Sequence, residues 1–374
     1  MNIYFPKVKK NFGFGCMRLP LIDKEVDTVE FSKMVDAFLD AGFNYFDTAQ
    51  GYLEGKSELA LRKCLTRRYP RESYVLTDKL SPHLFKSEED IRPAFERQLE
   101  NCGVEYFDFY LMHAQSKELY PKYQSCRAYE IAQELKKEGK VKYVGFSFHD
   151  DAEFLNQILT DHPEIDVVQI QFNYADYEDP SVQSRECYEV CRRHNKPIIV
   201  MEPVKGGHLV NLPEPAKKVF EELGTASPAS YAIRFAASFD GIFMVLSGMG
   251  NMEMMNDNIS YMKDFKPITD EENRAILKVL STIKSLEAIQ CTSCRYCIDG
   301  CPMNIPIPDF FTCYNNKKIW NTWNYIAYYQ SLTKEGGTAN SCIECGACES
   351  ICPQHLPIRS LLKDVSNEFD NKDW

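Results

Sequence analysis

The chain reads as an α/β protein: a closed (β/α)8 barrel over its first two thirds, followed by a small, mainly helical domain. Two observations carry that reading. Apolar, β-rich runs recur eight times between residues 12 and 249, with amphipathic stretches between them. Beyond them two compact cysteine runs appear, CTSCRYCIDGCP at 291–302 and CIECGACESICP at 342–353.

The eight runs, in order, are FGFGCM (12–17), FNYFDT (43–48), YVLTDKL (74–80), DFYLMHA (108–114), VKYVGFSF (141–148), VVQIQFN (167–173), PIIVMEP (197–203) and IFMVLSGM (242–249). Runs that are apolar on both faces and alternate with helices indicate a parallel sheet covered by helices. Eight such units suit a closed barrel, with a doubly wound open sheet as the alternative. Among the helical stretches are EDIRPAFERQLENCG (89–103) and RAYEIAQELKKEGKV (127–141). The second ends in basic residues and a glycine, a common way for a helix to stop. TDEENRAILKVLSTIKSLEAI (269–289), opened by a Thr269 cap, reads as a linker helix. The barrel is therefore expected over 1–265, the linker over 266–288 and the cysteine-bearing domain over 289–374.

The 374 residues are too many for one ordinary compact unit. A hydrophobic fraction of 44% and a charged fraction of 26% are those of a folded globular chain. The formal net charge of −11 repels phosphate backbones and anionic lipids, so nucleic acid and membrane surfaces are poor partners. No apolar run reaches bilayer length. The opening MNIYFPKVKKNFGFG lacks a signal peptide's apolar stretch, so a cytoplasmic location is expected.

Eight of the 15 cysteines lie in the two runs, each spaced C-x2-C-x2-C-x3-C-P. In a reducing compartment such clustering points to metal rather than disulfides. This is the run that binds [4Fe–4S] clusters, the fourth cysteine usually serving the other cluster. One cluster then takes Cys291, Cys294, Cys297 and Cys352, and the other Cys342, Cys345, Cys348 and Cys301. Structural zinc, the rival, favours two separated C-x2-C pairs. The remaining cysteines (16, 64, 102, 126, 187, 191 and 313) are expected to be small buried hydrophobes. The aromatics of 310–329 are expected to be core around the clusters, with a docking face as the alternative.

In a barrel, chemistry belongs at the C-terminal strand ends. Asp47, Tyr52, Lys79 and His113 lie there, in DTAQGY, LTDKL and YLMHA. Charges inside apolar runs are costly unless paired, which makes an Asp47–Lys79 pair plausible. An ammonium beside a phenol lowers its pKa, so Tyr52 is a candidate proton donor. Taken singly, each residue has a plainer reading: an interior ion pair, a satisfied core histidine, one of 21 tyrosines.

FNYFDTAQGYLEGKSE, VLTDKL, DFYLMHA, VGFSF, VVQIQFNY and VLSGMGNMEMMNDNI, in this order, resemble the aldo-keto reductase family over roughly residues 1–265. The resemblance implies a TIM barrel that binds a nicotinamide cofactor without a Rossmann motif. It implies a tetrad of Asp47, Tyr52, Lys79 and His113, with Tyr52 protonating a carbonyl oxygen and His113 orienting the substrate. It implies that Ser147 and Gln169 hold the carboxamide. It also places Ser247, Gly248, Met249, Asn251, Asp257 and Asn258 over the phosphates and adenosine. Two positions depart from the pattern. Phe148 replaces the usual Asn, and Met254 beside Glu253 stands where users of NADPH carry a basic residue, which favours NADH over NADPH. The C-terminal part resembles the α-helical ferredoxin type.

Hydride transfer moves two electrons together, whereas a [4Fe–4S] cluster moves one. Three readings follow. In the leading one, an oxidoreductase of anaerobic cytoplasm interconverts a small carbonyl and its alcohol. Its clusters relay electrons to or from a ferredoxin or flavoprotein partner, with a flavin as a conceivable intermediary. The second is an NADH-dependent reductase with structural clusters. The third is a non-catalytic electron-transfer or docking protein.

Overall fold

The computed structural model describes residues 4–179, 182–224, 226–320, 324–334 and 336–370. The chain divides into two units, one of 1–212 and 223–276, the other of 213–222 and 277–374.

Eight parallel strands close the first unit into a barrel: β1 (Phe12–Gly15), β2 (Tyr45–Asp47), β3 (Val75–Leu80), β4 (Phe107–Gln115), β5 (Val141–Phe148), β6 (Val167–Gln171), β7 (Ile198–Met201) and β8 (Ile242–Ser247). Each coincides with one of the eight apolar runs. The open sheet is excluded because β1 pairs on both sides: Gly13 faces Tyr45 of β2 and Leu246 of β8.

Helices cover the ring: α1 (Thr28–Asp40), α2 (Lys56–Leu61), α3 (Ile91–Cys102), α4 (Ala128–Lys137), α5 (Ala152–Asp161), α6 (Ser184–Arg193), α7 (Pro228–Ala237) and α8 (Met252–Met262). In α1 the Asp27 carboxylate accepts the N–H groups of Val29 and Glu30, satisfying donors that a helix start leaves open. Its buried Phe31, Met34, Val35 and Phe38 are spaced as one helical face. Phe31 and Phe38 pack on Phe14 of β1, with ring centroids 5.6 and 5.7 Å apart. Full burial of each such ring stabilises the fold by roughly 2 kcal/mol. The predicted stop of α4 holds: Lys136 and Lys137 close it, and Gly139 follows at φ 80°. Phe5 seals the N-terminal end of the barrel against Phe109, Tyr143 and Phe243.

Six of the strands are shorter than the runs that announce them, because backbone leaves the ring where it turns into the loops; β5 fills its run and β4 exceeds it by a residue at each end. A hairpin pairing Leu21–Ile22 with Glu25–Val26 follows β1, and short helices over Tyr120–Ser125 and Glu214–Leu223 join the pattern; no periodicity announces these. α9 (Asp270–Ser285) begins at Thr269 as predicted. The Thr269 hydroxyl accepts the Glu272 N–H at 3.2 Å, and the Glu272 carboxylate accepts the Thr269 N–H at 2.8 Å, a capping box.

The second unit is helical, with α10 (Ile307–Trp320), α11 (Asn324–Leu332) and α12 (Ile358–Phe369). Tyr329 lies between Phe310 and Phe369, with centroids 4.4 and 4.5 Å away. Phe310, Phe311 and Tyr329 are core, the reading preferred above; Tyr328 is exposed, and 321–323 lie outside the described residues. Among the described residues no helix is long and apolar enough to cross a membrane.

Gly145 of β5 marks the tightest point of the ring. A Cβ there would lie 2.4 Å from the Val167 carbonyl oxygen and 2.8 Å from Leu111. Gly145→Ala is expected to destabilise the fold by about 2 kcal/mol or more, read as a lower denaturant midpoint at an unchanged slope. An unchanged midpoint would contradict this packing.

Candidate active site and cluster sites

The four tetrad positions come together at the C-terminal mouth of the barrel. The Lys79 ammonium, fully buried on β3, donates to Asp47 Oδ1 at 2.6 Å and to the Thr48 carbonyl at 2.7 Å. Its Nζ lies 4.9 Å from the centre of the Tyr52 ring. That ring meets His113 edge-on, with centroids 6.1 Å apart. Neighbouring strands explain the convergence: Asp47 ends β2, Lys79 nearly ends β3, and His113 lies near the end of β4. Tyr52 comes from a tight turn just past β2, where Leu53 and Glu54 take left-handed φ of 53° and 59°.

The electrostatics sharpen one expectation and overturn another. Burial works against the Lys79 ammonium, but Asp47 and Tyr52 overcome it and hold its pKa above the ordinary lysine range. Burial raises the Asp47 carboxyl, with Lys79 pulling the other way. Tyr52 was expected to be made more acidic by Lys79. Instead burial raises its pKa above the ordinary tyrosine value, and the downward pull of Lys79 is the second effect. The phenol therefore stays protonated at neutral pH, as a proton donor must be. His113 is pushed down to about 3 by burial and then by the charge of Lys79, so its ring is neutral. Its Nδ1 lies 2.7 Å from Ser81 Oγ. With Ser81 donating there, Nε2 carries the ring proton. Ser81 escaped notice because a lone serine after a strand carries no sequence signal.

The expected cofactor residues are less uniformly placed. Ser147 and Gln169 are register partners on β5 and β6, both buried. Ser147 Oγ accepts the Ala114 N–H at 2.8 Å, and Gln169 Nε2 donates to Asp47 Oδ2 at 3.4 Å. Asn251 caps α8 by accepting the Met254 N–H. Ser247 accepts from Asn258 at 2.7 Å, Asp257 accepts from Ser227 at 2.8 Å, and Met249 is fully buried. Phe148 packs toward Phe154 of α5, with centroids 6.3 Å apart.

Sequence reading missed a cationic edge. Exposed Arg18, just past β1, lies 3.5 Å from where a Gly248 side chain would begin and 3.7 Å from that of Gly206. Lys205, paired with Asp176, and His208 lie just past β7. Burial lowers the His208 pKa, and the charges of Lys205 and Arg18 lower it further. The signal was available in MRLP and PVKGGH, both beyond C-terminal strand ends, but the two stretches are far apart in the chain.

In the second unit the eight cysteines fall into two cavities. One is lined by Cys291, Cys294, Cys297 and Cys352, the other by Cys301, Cys342, Cys345 and Cys348. All eight are free thiols. Each cavity thus gathers three thiols from one run and the last from the other, the crossed pattern expected of two [4Fe–4S] clusters. Four thiols around each apolar cavity fit such a cluster. Arg295, held by Asp309 at 2.9 Å, lines the first cavity; Arg359, held by Glu349 at 2.8 Å, lines the second.

This crossing makes a test. Cys352→Ser is expected to perturb the cluster held by 291–297, and Cys301→Ser the one held by 342–348. Each should be seen as loss of one paramagnetic signal while the other persists. If Cys352→Ser altered the cluster of its own run, the crossing would be wrong.

Comparison with known proteins agrees with this geometry. The aldo/keto reductase family profile matches residues 11–281, and a 4Fe-4S dicluster domain profile matches 290–357. The NADH-specific methylglyoxal reductase of Escherichia coli is 29% identical over 197 residues, which are 47% of this chain and 57% of that protein. The chain thus spans little more than half the length of that relative. Aldo-keto reductase AKR11C1 of Bacillus halodurans superposes with a TM-score of 0.58 at 24% identity, over 72% of this chain and 91% of that one. An aldo-keto reductase of Klebsiella pneumoniae, solved with NADPH, gives 0.57 at 18% identity, over 73% and 95%. The chain belongs to the aldo/keto reductase family and carries a 4Fe-4S dicluster domain after its reductase domain.

Proposed function

We propose that the barrel interconverts a small carbonyl compound and its alcohol, with Tyr52 as the proton donor to the carbonyl oxygen. One observation carries this reading: a buried ammonium, anchored by Asp47, faces the phenol of Tyr52 beside a neutral imidazole. As the oxygen gains charge, Tyr52 gives up its proton and Lys79 stabilises the phenolate left behind. His113 aligns the carbonyl by donating from Nε2. Asp47 keeps Lys79 charged and in place.

The hydride belongs to a nicotinamide when one is bound, and single electrons to the clusters. Ser147 and Gln169 would hold the carboxamide, and the segment Ser247–Asn258 would cover the rest of the dinucleotide. Arg18 and Lys205 would meet its diphosphate. We infer NADH over NADPH, because Ser247–Asn258 has no Lys or Arg, and Glu253 and Met254 stand exposed there. The relative named NADH-specific is in keeping with that choice. We further infer that the clusters exchange electrons with a ferredoxin or flavoprotein in a reducing, cytoplasmic setting.

Tyr52→Phe is expected to abolish reduction of a probe carbonyl such as methylglyoxal while leaving the iron–sulfur absorbance intact. Retained turnover would sink the role of Tyr52. Arg18→Ala should weaken NADH binding by about tenfold, roughly the value of one charge-assisted contact. Protein fluorescence quenching by NADH reads this directly, and an unchanged Kd would remove Arg18 from the site.

A further inference from the structure

On the outer side of β3, directly behind Lys79, two buried carboxyl groups meet. Glu58 of α2 and Asp78 of β3 are both 0% exposed. A carboxyl oxygen from each and the Cys102 sulfur of α3 lie within 4.8 Å of one another. The remaining contacts surround the pair. Asn101 Nδ2 donates to Glu58 Oε2 at 2.8 Å, and Gln98 Nε2 donates to the Lys79 carbonyl at 2.9 Å and to Glu58 Oε1 at 3.4 Å. Tyr110 donates to Gln98 Oε1 at 2.7 Å. Asp78 Oδ1 accepts the Lys79 backbone N–H at 2.8 Å.

Two carboxylates in contact in a dry site repel strongly, so one of them must hold a proton. Asp78 is pushed well up by burial and then by Glu58, while Glu58 is raised less, so the proton belongs to Asp78, facing the Glu58 carboxylate. The other titratable groups facing the pair are Lys79 on β3, Cys102 on α3, Tyr110 on β4 and Tyr52 in the turn before α2. Burial raises Cys102 and Tyr110 well above their ordinary values and raises Tyr52, which leaves them neutral.

The location gives the pair its consequence. α2 starts immediately after the turn that presents Tyr52, and that turn holds three successive left-handed residues, Leu53, Glu54 and Gly55. Side-chain-bearing residues resist that conformation, so the turn needs an anchor. Ser57 supplies one, donating to the Cys16 carbonyl at 2.8 Å; Glu58 supplies the other.

We propose that the Glu58–Asp78 acid–carboxylate bond is a positioning device that fastens the Tyr52 turn to the strand carrying Lys79. It acts through Tyr52 and rests on the reading of Tyr52 as the proton donor. Loss of the shared proton at alkaline pH breaks the bond and replaces it with repulsion, so the device releases as pH rises.

Four variants test this in the full cluster-containing protein: Asp78→Asn, Asp78→Ala, Glu58→Ala and Tyr52→Phe. The readouts are methylglyoxal reduction by NADH over about pH 6 to 9 and thermal unfolding over the same range. An amide at 78 donates the same bond but does not titrate. Asp78→Asn is therefore expected to keep turnover and to lose the alkaline decline expected of the wild type. Asp78→Ala and Glu58→Ala should lower kcat about tenfold with KM for NADH unchanged. The stability arm needs no substrate. A carboxyl whose folded pKa is raised loses stability as pH climbs from its unfolded value toward the folded one. The Tm of Asp78→Asn should then exceed that of the wild type by a margin that widens with pH. A margin constant with pH overturns the shared proton. An alkaline decline identical in wild type and Asp78→Asn overturns the positioning role. So does a divalent cation bound stoichiometrically in the wild type and lost in Asp78→Asn. Turnover by Tyr52→Phe would instead overturn the underlying reading of the site, whatever the pair does.

Discussion

A lysine and an aspartate share the dry interior of this barrel, and neither is tolerable there alone. Removing either partner of such a pair leaves a buried charge uncompensated, a loss of about 3–5 kcal/mol. The strands must therefore keep Asp47 and Lys79 in register, and Asp47 on β2 faces Thr77, two residues before Lys79, on β3. Everything at the mouth is arranged around this ammonium. Thr48 offers it a carbonyl, Gln169 orients the far oxygen of Asp47, and Tyr52 lies over it. The same charge, together with burial, keeps His113 neutral. Burial is the larger influence on Asp47, Tyr52 and His113, and this one cation acts on all three beside it.

The balance of effects at Tyr52 shows why proximity alone does not decide acidity. A cation beside a phenol favours the phenolate, and desolvation disfavours it. Here desolvation is the larger. The resting site is a protonated phenol beside a preorganised cation, and in the proposed reaction Lys79 would act on the phenolate only as the proton leaves. That is differential stabilisation of the charge-separated state, the property that speeds a chemical step.

The helical unit solves a different problem with the same economy of residue types. Two runs of four cysteines could each have closed on themselves. Instead each run lends its last thiol to the other cavity, so both cavities are built from both runs. The proline after each fourth cysteine turns the chain toward α10 or α12, whose apolar faces, with Phe310, Leu362 and Phe369, pack into one core. Arg295 and Arg359 bring one guanidinium to each cavity, each held by a carboxylate.

Much of this was legible in the sequence. Eight doubly apolar runs fit only a ring or sheet buried on both sides, and chemistry-bearing residues at their C-terminal ends marked the mouth. Cysteine spacing is short-range, so the two runs could be read from position alone, whereas the gathering of Cys352 with 291–297 and of Cys301 with 342–348 joins stretches some fifty residues apart. What tertiary structure decided is what depends on distance between remote stretches. Ring closure between β1 and β8 is a contact across some 230 residues, with Phe12 facing Val245. The pKa order at Tyr52 depends on how completely the folded chain excludes water. Arg18, Lys205 and His208 meet only because β1 and β7 end on the same face, and Glu58 meets Asp78 only because α2 packs on the outer side of β3. Local pattern names the elements and the reactive groups; burial and long-range contact assign their charges, because solvation is a property of the assembled fold.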